Sequence, residues 1–115
     1  MTGRFDSAGS GTENGSNALN ATLCAAIRQR KTLRFHYKGG YRVGEPWAHG
    51  VSHAGAELAL IYQTEGHSSS GQPLGWRTFR LDRLWELETL EATAADHREG
   101  YDPATLPMTT ICCQR

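Results

Sequence analysis

The basic residues of this chain are clustered, and aromatic rings lie among them. Six of its twelve Lys/Arg residues fall between Arg28 and Arg42 with no acid in the interval. Three more sit in the run Trp76-Arg77-Thr78-Phe79-Arg80-Leu81-Asp82-Arg83. Phe35, Tyr37 and Tyr41 accompany the first cluster, Trp76 and Phe79 the second. Guanidinium groups grip phosphate oxygens bidentately and rings stack on bases, so the mixture suits a nucleotide or a single strand. Seven of the twelve acids lie from Asp82 onward, so the zero formal net charge conceals a segregated one. Those late acids read as a solvated face or tail.

Within the basic segments, Arg77, Phe79, Leu81 and Arg83 alternate onto one face of an expected strand, opposite Thr78, Arg80 and Asp82. Arg77 and Arg83 then flank an apolar pair near a sheet rim. Two roles stand open for them: a grip on phosphate, or an ion pair with Asp82 or Glu86. Trp76 follows a Gly/Ser-rich loop and is a candidate for base stacking, while Trp47 and Trp85 read as core or rim anchors. His49 follows Pro46-Trp47 and is expected to line the same groove.

Other chemistry finds no footing. His49 and His53 have the spacing of a helical zinc pair, but Pro46 and Gly50 oppose a helix. On a strand, residues four apart lie ~13 Å from each other, too far to share an ion. Ser68-Ser69-Ser70 lacks the context of a nucleophile elbow, and Gly39-Gly40 precedes no helix that would cradle a phosphate. No nucleophile–base–orienter set can be outlined, so an enzyme is not expected, nor a metal or cofactor. Of the three cysteines, Cys112 and Cys113 are adjacent and Cys24 stands far from both. No disulfide framework is expected, Cys24 reads as a small apolar filler, and a reducing, cytoplasmic setting follows.

The elements that must position these groups are legible from periodicity. The 115 residues suffice for one domain with a modest core. Residues 1–16, with four Gly and three Ser, read as a disordered leader without the apolar stretch of a secretory signal. No segment approaches the ~20 apolar residues that span a bilayer. Leu19, Leu23, Ala26 and Ile27 recur at helical spacing, predicting a helix over 17–30. The period then becomes two: Leu33, Phe35 and Tyr37 share one strand face, Arg34, His36 and Lys38 the other. Gly39-Gly40 predicts a hairpin turn. A second strand follows over 41–51, with Pro46 at an edge, end or bulge. A third runs over 57–65; Leu58, Leu60 and Tyr62 oppose Ala59, Ile61 and Gln63, so it is expected to be the most buried. Strands over 76–83 and 84–91 complete the set, joined by a bend or bulge. One helix and five short antiparallel strands predict a mainly β fold: a small, strongly curved five-stranded barrel. Residues 92–115 form an extension that packs on the barrel or trails it.

These segments resemble a known family. A helix with a basic end leads into Leu33-Arg34-Phe35-His36-Tyr37. Arg42, Val43 and Pro46 follow, then Leu58-Ala59-Leu60-Ile61-Tyr62, then Arg77 to Leu84 with its Arg-x-Phe-x-x-Asp-Arg-hydrophobic block. The order is similar to the WYL domain, a bacterial regulatory module built on an Sm-like β-barrel, over about residues 23–90. The strand that would carry the naming tripeptide reads Ala59-Leu60-Ile61-Tyr62. Most members follow a helix-turn-helix; residues 1–16 leave no room for one, so the likeness is to a stand-alone WYL domain. The resemblance implies a non-enzymatic sensor that binds a nucleotide-like anion or single-stranded nucleic acid in a basic groove, and a part in transcription regulation. Tyr37, Arg42, Tyr62, Arg77 and Arg83 match the groove positions, with Phe79 more suited to the core. A protein–protein or homo-oligomeric adaptor is the alternative, because barrel edge strands can pair between chains.

Overall fold

The computed structural model describes residues 14–68, 71 and 74–115. The expected leader otherwise lies outside the described residues, although the helix, α1 (Asn14–Gln29), begins three residues earlier than its pattern suggested. It is followed by strands β1 (Lys31–Tyr37), β2 (Gly40–Val51), β3 (Glu57–Gly66), β4 (Gly75–Arg80), β5 (Trp85–Thr93) and β6 (Thr110–Gln114). All pairings are antiparallel. The sheet order is β4-β3-β2-β1-β5, and β6 pairs with the far half of β2. Among the described residues β4 and β5 do not pair, so the sheet is open and mainly β architecture is as far as the expected barrel is reached. No described helix is long and apolar enough to cross a membrane.

The helix stripe packs as its spacing predicts. Leu23, Ala26 and Ile27 are buried, and they join Leu33, Phe35, Ala59, Ile61, Phe79, Leu81 and Leu84 in one core. Arg30 ends the helix in the left-handed region (φ 57°), and its carbonyl accepts from the Ala94 amide.

Three local expectations are corrected. The first hairpin turns at Lys38-Gly39, with φ of 45° and 92°, because Tyr37 pairs with Gly40. Two positive φ values give the primed turn whose twist matches the strands, and Gly39 alone of the two residues adopts it without strain. The most buried strand is β2, not β3: residues 42–50 are buried throughout. Strand β2 has partners on both edges, with α1 on one face and residues 94–101 on the other. It accommodates Pro46 beside a bulge, where the register with β3 slips between Pro46 and Ala48. Finally, the fourth strand stops at Arg80, and Leu81–Arg83 forms a single 3-10 turn. That turn breaks the alternation expected to carry Arg77 and Arg83 on one strand face.

Residues 92–115 pack on the sheet. Beyond a 3-10 turn at Pro103–Thr105, β6 pairs with β2 through Ala48↔Gln114 to Val51↔Thr110.

Candidate anion-binding site

Two arginines occupy the core face of the sheet where its apolar rows end. Arg42 lies opposite Phe35 in the β1–β2 ladder, and Arg77 lies opposite Ile61 in the β3–β4 ladder. Both therefore project to the side that holds Phe35, Ile61 and Phe79, one step beyond the closed core. Arg42 is only 4% exposed. Its guanidinium stacks 5.2 Å from the Tyr37 ring and 5.4 Å from the Phe79 ring. Phe79 is fixed below by edge-to-face contacts with Phe35 and Tyr37, at 5.0 and 4.8 Å.

These groups line a cavity of about 210 Å³ with Lys38, Ser68 and Thr78. Three of its seven lining residues are cations and none is an acid. Among the described residues, Nε and Nη2 of Arg42 and Nε of Arg77 are buried without a hydrogen-bond partner. Arg77 Nη2 donates to Ser68 Oγ at 3.2 Å. Burial, and then the like charge of Arg77, pull the Arg42 pKa below its usual value. It remains a cation, but one whose charge is held at a cost that an incoming anion would relieve.

The loop that bounds the cavity is tied down at its start. Gly66 adopts φ 103°, and a Cβ there would lie 2.7 Å from the Arg42 Cα. That close crossing lets His67 N donate to Tyr41 O (2.9 Å), while the buried Gln63 amide donates to His67 O (2.8 Å). The next described residue, Ser68, is thereby brought to Arg77.

Of the residues expected in one groove, the structure unites Tyr37, Arg42 and Arg77 and separates the other four. Tyr62 and Trp76 lie opposite each other in the β3–β4 ladder, on the outer face. There their rings meet at 5.2 Å, and Trp76 also contacts Trp47 and Tyr101. The Trp76 indole N–H donates to Glu99 O at 2.8 Å, so the ring serves the C-terminal extension rather than a base. His49 is on the core face but at the other end of β2, beside α1 and β6, 1% exposed. Arg83, in the 3-10 turn, is exposed and outside the cavity. Conversely, Lys38, Ser68 and Thr78 were not expected. Lys38 enters through the turn that shifted onto it, and its Nζ lies 5.9 Å from the Tyr37 ring.

The outer face shows what a compensated arginine looks like. Glu45 accepts two hydrogen bonds from Arg98, at 2.8 and 2.9 Å, and one from the Ala95 amide at 3.0 Å. Burial pushes the Glu45 carboxyl up, but the bonds from Arg98 and Ala95 outweigh it and hold the pKa below the usual glutamate value. A larger cavity of about 420 Å³, lined by Leu19, Leu81 and Leu84 among others, holds charges of both signs, Arg80 with Asp82 and Glu57. Its Arg80 donates to both carboxylate oxygens of Asp82, at 3.1 and 2.8 Å.

The expectation of unbridged cysteines is overturned: Cys24 and Cys113 form a disulfide, and Cys112 is free and exposed. The pairing joins α1 to β6 across 89 residues of sequence, a contact that spacing alone does not reveal.

No protein-family model, no curated protein and no solved structure gives a significant match to this chain.

Proposed function

We propose that this chain is a non-enzymatic, WYL-type sensor or regulatory module. Its groove at Tyr37, Arg42 and Arg77 takes the phosphate of a nucleotide-like ligand or of a short single strand. One observation carries the reading: a nearly buried Arg42 guanidinium, with donors unused among the described residues, faces a cavity that holds further cations and no acid. Arg98, on the outer face, is by contrast met by the Glu45 carboxylate.

The cavity's size sharpens the ligand. Pockets that enclose a whole drug-sized molecule run to about 300–1,000 Å³. At about 210 Å³ this one suits a phosphate group, with the remainder of the ligand outside. With Tyr62 and Trp76 on the other face, the rings among the cavity's described residues are Tyr37 and Phe79, and the Arg42 guanidinium already lies over both. Recognition is then mainly of charge, and base preference is weak.

The test is fluorescence anisotropy with a short labelled oligonucleotide at two salt concentrations, with mononucleotides as competitors. Arg77→Ala weakens binding by about 1.5–3 kcal/mol, the scale of hydrogen bonds to a charged group. Arg77→Lys also binds poorly, because an ammonium lacks the planar fork. Absence of binding by the unaltered protein at low salt refutes the reading. The adaptor alternative is then favoured, and it has its own observation: Trp85, on the open edge strand β5, is 56% exposed. Size-exclusion chromatography at a multiple of 12.7 kDa would support it.

A further inference from the structure

At the end of β2 remote from the groove, three potential metal ligands from three elements converge. Cys24 comes from α1, His49 from β2 and Cys113 from β6. His49 Nδ1 lies 3.6 Å from Cys24 Sγ and 3.9 Å from Cys113 Sγ. All three ligand atoms fall within 4.8 Å of one another. The other ring nitrogen, Nε2, faces Glu57 Oε1 at 3.6 Å. Glu57 in turn lines the 420 Å³ cavity, which brings solvent to the far side of this pair.

We infer that reduction of the Cys24–Cys113 disulfide creates a metal site. In it Cys24 Sγ, Cys113 Sγ and His49 Nδ1 hold one zinc-class divalent cation, and a fourth position stays open to water. The proposal is independent of the anion-binding reading.

Geometry favours this use. With Zn–S near 2.3 Å and Zn–N near 2.05 Å, a tetrahedral ion sets sulfur and nitrogen about 3.6 Å apart and two sulfurs about 3.8 Å apart. The Cys24 sulfur–nitrogen separation of 3.6 Å already matches, and the Cys113 separation of 3.9 Å is within about 0.3 Å of it. The larger change is that the sulfurs must part, and with the Cα atoms 5.9 Å apart side-chain rotation can do this. Two thiolates and an imidazole select a soft or borderline ion over magnesium or calcium. A carboxylate behind the distal nitrogen of a ligating histidine is the usual outer partner that fixes the ring, and Glu57 occupies that position.

The disulfide and the metal are mutually exclusive occupants. Two equivalents of a low-molecular-weight thiol supply the electrons: the protein S–S bond breaks, two cysteine thiols form, and the small thiol leaves as its own disulfide. Metal binding then displaces one proton from each cysteine, and the dication balances the two thiolates. Either occupant fastens α1 to β6. The reduced, metal-free chain is the state in which that link is lost.

Cobalt(II) is the probe, because a tetrahedral site with thiolate ligands gives intense visible bands and a thiolate-to-metal charge-transfer band. The full-length protein, reduced and handled without oxygen, takes up one equivalent with both signatures, and zinc displaces it. The oxidised protein shows neither. Cys24→Ser and Cys113→Ser each lose about half of the charge-transfer intensity per bound cobalt, one of two thiolates being gone, and at least about tenfold in affinity. Cys112→Ser behaves as the unaltered chain. Glu57→Gln keeps the spectrum but weakens binding by about 10–100-fold, as loss of an outer partner does. His49→Ala serves only if its far-UV circular dichroism matches that of the unaltered protein; the cysteine variants carry the test otherwise. The inference is overturned if the reduced, folded protein shows no charge-transfer band. Equal cobalt binding by the oxidised protein or by Cys24→Ser overturns it too, since the ion would then sit elsewhere.

Discussion

Arg42 and Arg98 lie on opposite faces of the same sheet, and both stack on a tyrosine, yet their surroundings differ in kind. Arg98 lies 4.3 Å from the Tyr62 ring and shares two hydrogen bonds with Glu45. Arg42 lies over Tyr37, and the side-chain charge that acts on it most strongly is another arginine, Arg77. The first arrangement is closed: charge, ring and backbone amide satisfy one another and pin residues 94–98 to β2. The second gathers three cations and, among the described residues that line it, no acid. An uncompensated buried charge subtracts from stability, so its retention is more readily explained by binding than by folding.

The comparison can be broken at its foundation. Phe79 is 1% exposed and supports Arg42 from below. Phe79→Ala costs about 3–5 kcal/mol in urea-induced unfolding, the range for deleting a buried aromatic ring. A cost below about 1 kcal/mol would mean that Phe79 serves the groove and not the core, and the two faces would no longer divide as described.

Next in size is the outer pair. Glu45→Ala removes two charged hydrogen bonds and one amide bond, with the Arg98 side chain still 32% exposed and able to find water. The expected loss is about 1.5–3 kcal/mol, with oligonucleotide binding unchanged. Because the folded-state pKa of Glu45 is held below its ordinary value of 4.5, the unfolded chain takes up its proton first as the pH falls. The stabilisation is therefore complete above that value and is lost as the pH descends through the folded pKa. Thermal melts between pH 7 and 3 should show this slope in the unaltered protein and a shallower one in Glu45→Ala.

These two sites also show what the sequence discloses. The Leu33/Phe35/Tyr37 alternation, the helix stripe and the Ala59/Ile61/Gln63 face are period signals, and each packs as read. Arg77 and Phe79 fall on the core face for the same reason. Arg83 does not, because the Leu81–Arg83 turn interrupts the period and no residue there announces it. The family resemblance groups Tyr62 with the arginines and the preceding Gly/Ser loop recommends Trp76, whereas strand parity puts both on the other face. Their partners Arg98 and Tyr101 come from an extension without period. Cys24, His49 and Cys113 are separated by 25 and 64 residues, and only the docking of α1 and β6 on β2 unites them.

A third substitution separates stability from binding within one residue. Arg42→Met keeps much of the volume and removes the charge. Replacing a poorly compensated buried ion by an apolar side chain is neutral or stabilising, here by about 1 kcal/mol, while oligonucleotide affinity falls at least as far as in Arg77→Ala. If Arg42→Met is instead strongly destabilising, its guanidinium is compensated and the contrast with Arg98 fails.

The smallest effect belongs to Arg34, and its smallness is the point. Arg34 is exposed on the outer side of β1, with its guanidinium 4.7 Å from the Tyr41 ring. It belongs to the same run of basic residues as Arg42, so a reading based on charge density alone would weight the two equally. Geometry does not. An exposed cation attracts a polyanion only through water and salt, and at physiological ionic strength its influence fades within about 8 Å. Arg34→Ala should therefore lower oligonucleotide affinity less than about threefold at low salt, near the scale of an exposed charge pair. The difference should vanish as salt is raised, while the Arg77→Ala deficit persists. If both variants lose affinity equally at both salt concentrations, the protein binds through its diffuse basic surface, and the cavity at Arg42 is not the site.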